Sequence, residues 1–105
     1  MENKKYYTYM LRCEDNSIYT GITTDINRRM AEHFNKDNKC AKYTFNHNAK
    51  KIEMAWEAGN RVLASKLEYR IKKLSKKDKE ELIQNPSKIN SVLENGELYV
   101  RVIYD

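Results

Sequence analysis

Five side chains in this sequence have the types and spacing for chemistry: Tyr9, Tyr19, Arg29, His33 and Glu68. Phenol and imidazole groups donate, accept and relay protons. A guanidinium grips a phosphate or carboxylate through two parallel N–H bonds, which an ammonium cannot imitate. A carboxylate can hold a hard divalent cation. Four of the five fall within residues 7–33, YTYMLRCEDNSIYTGITTDINRRMAEH. That is a dense grouping of proton-handling and phosphate-binding groups, to which Glu68 would add a carboxylate from later in the chain. Each residue also has a plainer explanation. Strand tyrosines usually pack across strands, Arg29 and His33 could be surface residues, and Glu68 could serve only as the i,i+4 partner of Lys72.

Positioning these groups requires particular elements. Residues 6–13, YYTYMLRC, are aromatic and β-favouring, with Tyr7, Tyr9, Leu11 and Cys13 on one face. Glu14-Asp15-Asn16 are turn formers, and Ser17 to Ile22 reads as a second strand ending near Gly21. Side chains alternate with period two, so Tyr9 and Tyr19 share a face only if the hairpin loop has an odd length. The expected loop is Glu14-Asp15-Asn16 between a Cys13–Ser17 pair. Gly21 in a strand signals a bulge or a close approach. A helix follows, capped by Thr24 or Asp25, with Ile26, Met30 and Phe34 as its buried stripe. At about 100° per residue, Arg28 points away from that stripe, while Arg29 and His33 lie along its border.

Residues 35–51 are polar and lysine-rich and read as a long loop carrying Lys42 and Tyr43 as second-rank substrate contacts. Ile52 to Trp56 is a third strand with Ile52, Met54 and Trp56 on one face. From Gly59-Asn60 a helix runs with Leu63, Leu67, Ile71 and Leu74 inward and Glu68 at the edge of that face. Ser75, with Asp78 three residues on, starts another helix reaching about Ile83, which Asn85-Pro86 ends. Asn95-Gly96 signals a turn, and Leu98 to Tyr104 reads as a strand. The expected class is α+β, a small antiparallel sheet with flanking helices in the order β-β-α-β-α-α-(β).

With 105 residues, one domain is expected. A net charge of +5 favours polyanionic partners. No apolar run approaches the ~20 residues of a membrane span, and MENKKYY lacks the apolar core of a signal peptide. The expected compartment is the cytoplasm, with no membrane partner. Cys13 and Cys40 form no CxxC pair, which argues against a structural zinc.

The combination of motifs resembles the GIY-YIG nuclease superfamily, in particular its small single-domain bacterial branch. Tyr7-Thr8-Tyr9 corresponds to the first signature element and Tyr19-Thr20-Gly21 to the second. Residues 25–33, DINRRMAEH, resemble the family's D-[LI]-x-x-R-x-x-x-H pattern, which places its arginine at Arg29 and its histidine at His33. Residues 64–74, ASKLEYRIKKL, resemble the helix bearing the metal-binding glutamate, at Glu68. The resemblance covers about residues 6–83 and leaves 84–105 as a C-terminal extension with a strand.

The resemblance implies a metal-dependent endonuclease acting on DNA, or on RNA, in repair, recombination or processing. It implies catalytic roles for Tyr9, Tyr19, Arg29, His33 and Glu68, with Mg²⁺ or Mn²⁺ on Glu68. In that scheme Tyr19 serves as general base or proton relay, helped by Arg29, the metal or a hydrogen bond, or by passing its proton onward, with His33 as one acceptor, and Tyr9 orients the water or Tyr19. The competing reading is a catalytically weak nucleic-acid-binding or adaptor module on the same fold, because Asn85 falls later than the asparagine that studied members carry. The expected assembly is a monomer or weak homodimer, with a protein partner as one source of specificity.

Overall fold

A computed structural model describes residues 5–35 and 47–102. Strands β1 (Tyr6–Cys13) and β2 (Ile18–Thr23) form the N-terminal hairpin, followed by helix α1 (Ile26–Phe34) and strand β3 (Ala49–Ala58). Helices α2 (Arg61–Lys72) and α3 (Lys76–Gln84) come next. A 3₁₀ turn (Pro86–Lys88), the one-turn helix α4 (Ile89–Val92), a second 3₁₀ turn (Gly96–Leu98) and strand β4 (Val100–Val102) complete the described chain. The sheet order is β2-β1-β3-β4, and every neighbouring pair is antiparallel. This is the α+β architecture expected from the sequence, with short helical turns added before β4.

The hairpin loop is odd. Arg12 pairs with Ile18 and Tyr9 with Gly21, and the Cys13 amide donates to the Ser17 carbonyl at 2.9 Å across Glu14-Asp15-Asn16. Three-residue hairpin loops need a left-handed residue at their end, and Asn16 supplies it at φ 70°. Asp15 Oδ1 accepts from the Ser17 amide at 3.0 Å, which fixes the turn locally. Tyr9 and Tyr19 therefore lie on one face.

The two faces of the sheet carry separate cores. Met10, Met54, Trp56 and Ala58 pack against Ala64, Leu67 and Ile71 of α2, with Leu82 of α3, Ile89 and Tyr99 extending the cluster. On the other face Tyr9, Leu11 and Ala55 pack against Ile26 and Met30 of α1.

Several sequence expectations are corrected. Met10 pairs with Met54 but Leu11 pairs with Ile52, so β3 carries a register shift there. The shift turns Ile52 to the α1 side while Met54 and Trp56 stay on the α2 side, because an inserted residue reverses the alternation beyond it. Phe34 is 43% exposed, and the fully buried His33 completes the α1 stripe in its place. Asp25, and not Thr24, caps α1, accepting from the Arg28 amide at 3.1 Å. Ala49 to Lys51, expected in a loop, open β3. Asn95-Gly96 leads into a 3₁₀ turn that includes Leu98, and β4 occupies only Val100–Val102 of the predicted run, with 103–105 outside the described residues. The caps expected at the later helices hold. Asn60 accepts from Leu63 at 2.9 Å and Ser75 from Asp78 at 3.1 Å.

Candidate active site

The face shared by β1 and β2 brings Tyr9 and Tyr19 together, and α1 lies over it with His33 and Arg29. Ring centroids are 6.2 Å apart for Tyr9–Tyr19, 5.7 Å for Tyr9–His33 and 5.5 Å for Tyr19–His33. The Tyr9 hydroxyl and His33 Nε2 are 2.7 Å apart in a buried hydrogen bond. Gly21 makes this packing possible. A Cβ at that position would stand 2.6 Å from the Tyr9 hydroxyl and 2.8 Å from Cζ. The glycine is required by close approach of the Tyr9 ring, as its place in a strand suggested.

Arg28 and Arg29 diverge as the helical arithmetic predicted. The Arg28 side chain is 60% exposed and that of Arg29 20%. Arg29 Nη1 donates to Glu32 Oε1 at 2.9 Å, and a hydrogen bond also links it to Tyr9. Burial works against the Arg29 charge, but Glu32, Tyr9 and Tyr19 outweigh it and hold the guanidinium protonated. Glu32 is a member of the cluster that the sequence reading missed. Its signal was the i,i+3 spacing of an acid after an arginine.

Glu68 approaches from α2, which packs on the opposite face of the sheet and passes the β2 edge. Lys72, one turn on, has its Nζ 6.0 Å from the Tyr19 ring centroid and 3.3 Å from Glu68 Oε2. The i,i+4 pair anticipated as the plain explanation for Glu68 is thus present. The Glu68 carboxylate is also close enough that its charge contributes to raising the Tyr9 pKa.

Electrostatics separates the roles of these groups. Burial, followed by the neighbouring Tyr19, pushes the Tyr9 phenol far above its ordinary value despite the lowering influence of Arg29. Burial, reinforced by Arg29, pushes His33 down to about 4. Tyr9 is therefore a persistent phenol and His33 a neutral imidazole at ordinary pH. Such a pair is suited to holding geometry. The His33 Nε2 engaged by Tyr9 is a poor terminus for the proton relay expected from the sequence.

Lys42 and Tyr43 lie outside the described residues. Among the described residues no group of three or more His, Cys, Asp or Glu side chains could enclose a metal. Thr20, on the α2 side of β2, has a buried hydroxyl with no hydrogen-bond partner among the described residues.

This ordered set of a tyrosine pair, arginine, histidine and glutamate on a small antiparallel sheet has clear relatives. Residues 5–81 match a family model described as the GIY-YIG catalytic domain, and the chain belongs to that family. Similar curated proteins include UPF0213 protein FN1575 of Fusobacterium nucleatum, 47% identical over 86% of this chain and 88% of that one. Another is UPF0213 protein YE0453 of Yersinia enterocolitica, 41% identical over 90% of this chain and 96% of that one. The solution NMR structure of UPF0213 protein BH0048 from Bacillus halodurans aligns with a TM-score of 0.50 and 35% identity, covering 85% of this chain and 96% of that one. No helix among the described residues is long and apolar enough to cross a membrane.

Proposed function

We propose that this protein is a divalent-metal-dependent endonuclease that hydrolyses phosphodiester bonds in DNA, in the cytoplasm, during repair, recombination or processing. The observation that carries the reading is the meeting of Tyr9, Tyr19, Arg29 and His33 in one cluster flanked by the Glu68 carboxylate. Membership of the GIY-YIG family supports the reaction class.

Arg29 binds the non-bridging phosphate oxygens through its fork, exchanging Glu32 for the substrate. Tyr19, half-buried, relays the proton of the attacking water, accepting it as its own hydroxyl proton passes to solvent. Tyr9 remains a phenol, locked by His33, and sets the orientation of the Tyr19 ring beside it. Glu68, released from Lys72, is the side chain that would hold the cation. A single carboxylate with water and phosphate oxygens in the remaining positions suits Mg²⁺ or Mn²⁺, and does not suit a closed zinc centre. When bound, the ion neutralises phosphate charge and stabilises the departing 3′-oxygen. Choice among DNA structures falls to surfaces around this cluster or to a protein partner, the enzyme itself being a monomer or weak homodimer.

The test uses branched, nicked and plain duplex DNA, and RNA of matched sequence, with Mg²⁺ or Mn²⁺. Wild type should cut at least one DNA substrate. Arg29→Ala and Glu68→Ala should each lower the rate by about 10²–10³-fold, the usual loss when a group stabilising developing charge is removed. Arg29→Lys should recover little, since it restores the charge without the fork. Absence of cleavage by wild type, or variants that cut at the wild-type rate, would sink the reading. Salt-sensitive binding without cleavage would replace it with a non-catalytic binding module.

A further inference from the structure

Glu68 and Lys72 point from α2 towards the tyrosine cluster, while the next residues in each case, Tyr69 and Lys73, point elsewhere. At about 100° per residue, Tyr69 and Lys73 project away from the sheet, opposite the buried Ala64, Leu67 and Ile71. Tyr69 is 56% exposed and Val62, on the same outer stripe, 63%. Lys73 Nζ stands 4.6 Å from the Tyr69 ring centroid, a cation–π distance that braces the exposed ring. On the far flank of α2, Lys66, Tyr69 and Arg70 form one wall of a groove of about 490 Å³ whose other wall includes Asn90 and Asn95. One carboxylate, Glu94, also lines it. Among the described residues Lys66, Arg70 and Lys73 have no carboxylate partner, whereas Lys72 is paired with Glu68.

We infer that the outer face of α2 binds an unpaired nucleic-acid strand flanking the scissile phosphate, with a base stacked on Tyr69 and phosphates held by Lys66, Arg70 and Lys73. The inference rests on the nuclease reading for the position of the scissile phosphate, and it names the substrate class. Exposed aromatic rings interleaved with cations are the recognition chemistry of single strands, because every base offers a π-face once it leaves the duplex stack. A base inside a duplex is already stacked on its neighbours and has no free face for a side-chain ring. The strand path crosses α2, a helix about 10–12 Å wide with its side chains, from the groove, over Tyr69, to the Glu68 flank. The amide side chains of Asn90 and Asn95 offer both donors and acceptors to the edge of a base entering the groove. The preferred substrates are accordingly flaps, splayed junctions or other DNA with an unpaired arm, in preference to continuous duplex.

Binding is measured without divalent cation, so that no cleavage is needed, using labelled oligothymidylate and a duplex of equal length. The proteins are wild type, Tyr69→Ala, Tyr69→Phe and the double variant Lys66→Gln/Arg70→Gln. Wild type should bind the single strand more tightly than the duplex. Tyr69→Ala should weaken single-strand binding about fivefold or more, the lower end of the loss for removing one stacked base, and should leave duplex binding unchanged. Tyr69→Phe should bind as wild type does. The double cation variant should show a shallower salt dependence. Circular dichroism verifies folding, which substitution of an exposed ring leaves intact.

Equal single-strand affinity in wild type and Tyr69→Ala overturns the inference, even if every substrate is cut and the nuclease reading stands. So does a change of oligomeric mass in Tyr69→Ala without a change in strand affinity, which would assign the face to a second copy. Conversely, Tyr69-dependent strand binding with no cleavage by wild type defeats the nuclease reading and leaves the strand platform in place.

Discussion

His33 has no exposed surface, shares a 2.7 Å hydrogen bond with Tyr9, and has a pKa pushed down to about 4 by burial and the Arg29 charge. The unfolded imidazole titrates near 6.5. Between those values the unfolded chain holds the extra proton, so stability rises with pH through this window and is fully present above it. Acidification from pH 6.5 to 4 should remove about 3 kcal/mol through this residue alone. Urea denaturation of wild type and His33→Gln at pH 7 and pH 4.5 isolates the effect, because the acid sensitivity of other groups is common to both. Wild type should lose about 2–3 kcal/mol more than the variant between the two conditions. Equal losses would mean that the folded imidazole protonates normally. Sequence spacing placed His33 at the border of the α1 stripe; its complete burial follows from β1 and β2 presenting Tyr9 beneath it.

At the scale of elements, α3 is tied to the sheet through Arg12 of β1. Its guanidinium donates to both Glu80 oxygens at 2.6 and 2.5 Å, to Glu53 of β3 at 3.0 Å and to the Asn16 carbonyl at 3.2 Å. The Arg12 side chain is only 10% exposed. Glu80, the first cause, and Glu53 raise its pKa against the cost of burial. Removing the cation would leave Glu53 with only Lys51, at 3.6 Å, and Glu80 with only Lys76, at 3.5 Å. Arg12→Ala should cost about 1.5–3 kcal/mol, the scale of losing hydrogen bonds to charged groups, because the lysines keep either acid from being left alone. Arg12→Lys should recover only part of that, lacking the fork. Thermal or urea melts measure both, and an Arg12→Ala protein as stable as wild type would show the network to be dispensable. Nothing in the sequence joined Arg12 to Glu80, which lies 68 residues on. The pairing exists only because α3 returns across the hairpin end of the sheet.

At the scale of the whole molecule, residues 84–105 looked like an extension beyond the signature-bearing stretch, and the family match likewise stops at residue 81. Packing treats part of that segment as core. Ile89 and Tyr99 are buried in the α2-side cluster, the Tyr99 hydroxyl donates to the Leu63 carbonyl at 2.6 Å, and β4 covers β3 from Ala55 to Glu57. A chain ending at Gln84 should therefore lose at least about 3 kcal/mol, the apolar contribution of two large side chains at about 1.5–3 kcal/mol each. Calorimetry or a thermal melt of the shortened chain checks this, and melting at the full-length temperature would refute it.

Local physics determined much of this protein from its sequence. Asn16 in a three-residue loop set the hairpin register, and that register put Tyr9 and Tyr19 on one face. Asp25, Asn60 and Ser75 fixed where the main helices begin, and helical spacing separated Arg29 from Arg28. Each of these follows from interactions among near neighbours in the chain. Tertiary structure decided the rest. A register shift opposite Met10 and Leu11 reversed the face of Ile52. The competition for space under α1 buried His33 and left Phe34 outside. The placement of α2 past the β2 edge brought Glu68 to the tyrosines and turned Tyr69 to the solvent. Those outcomes depend on which surfaces are buried against one another, a property of the assembled sheet and helices that no single segment contains.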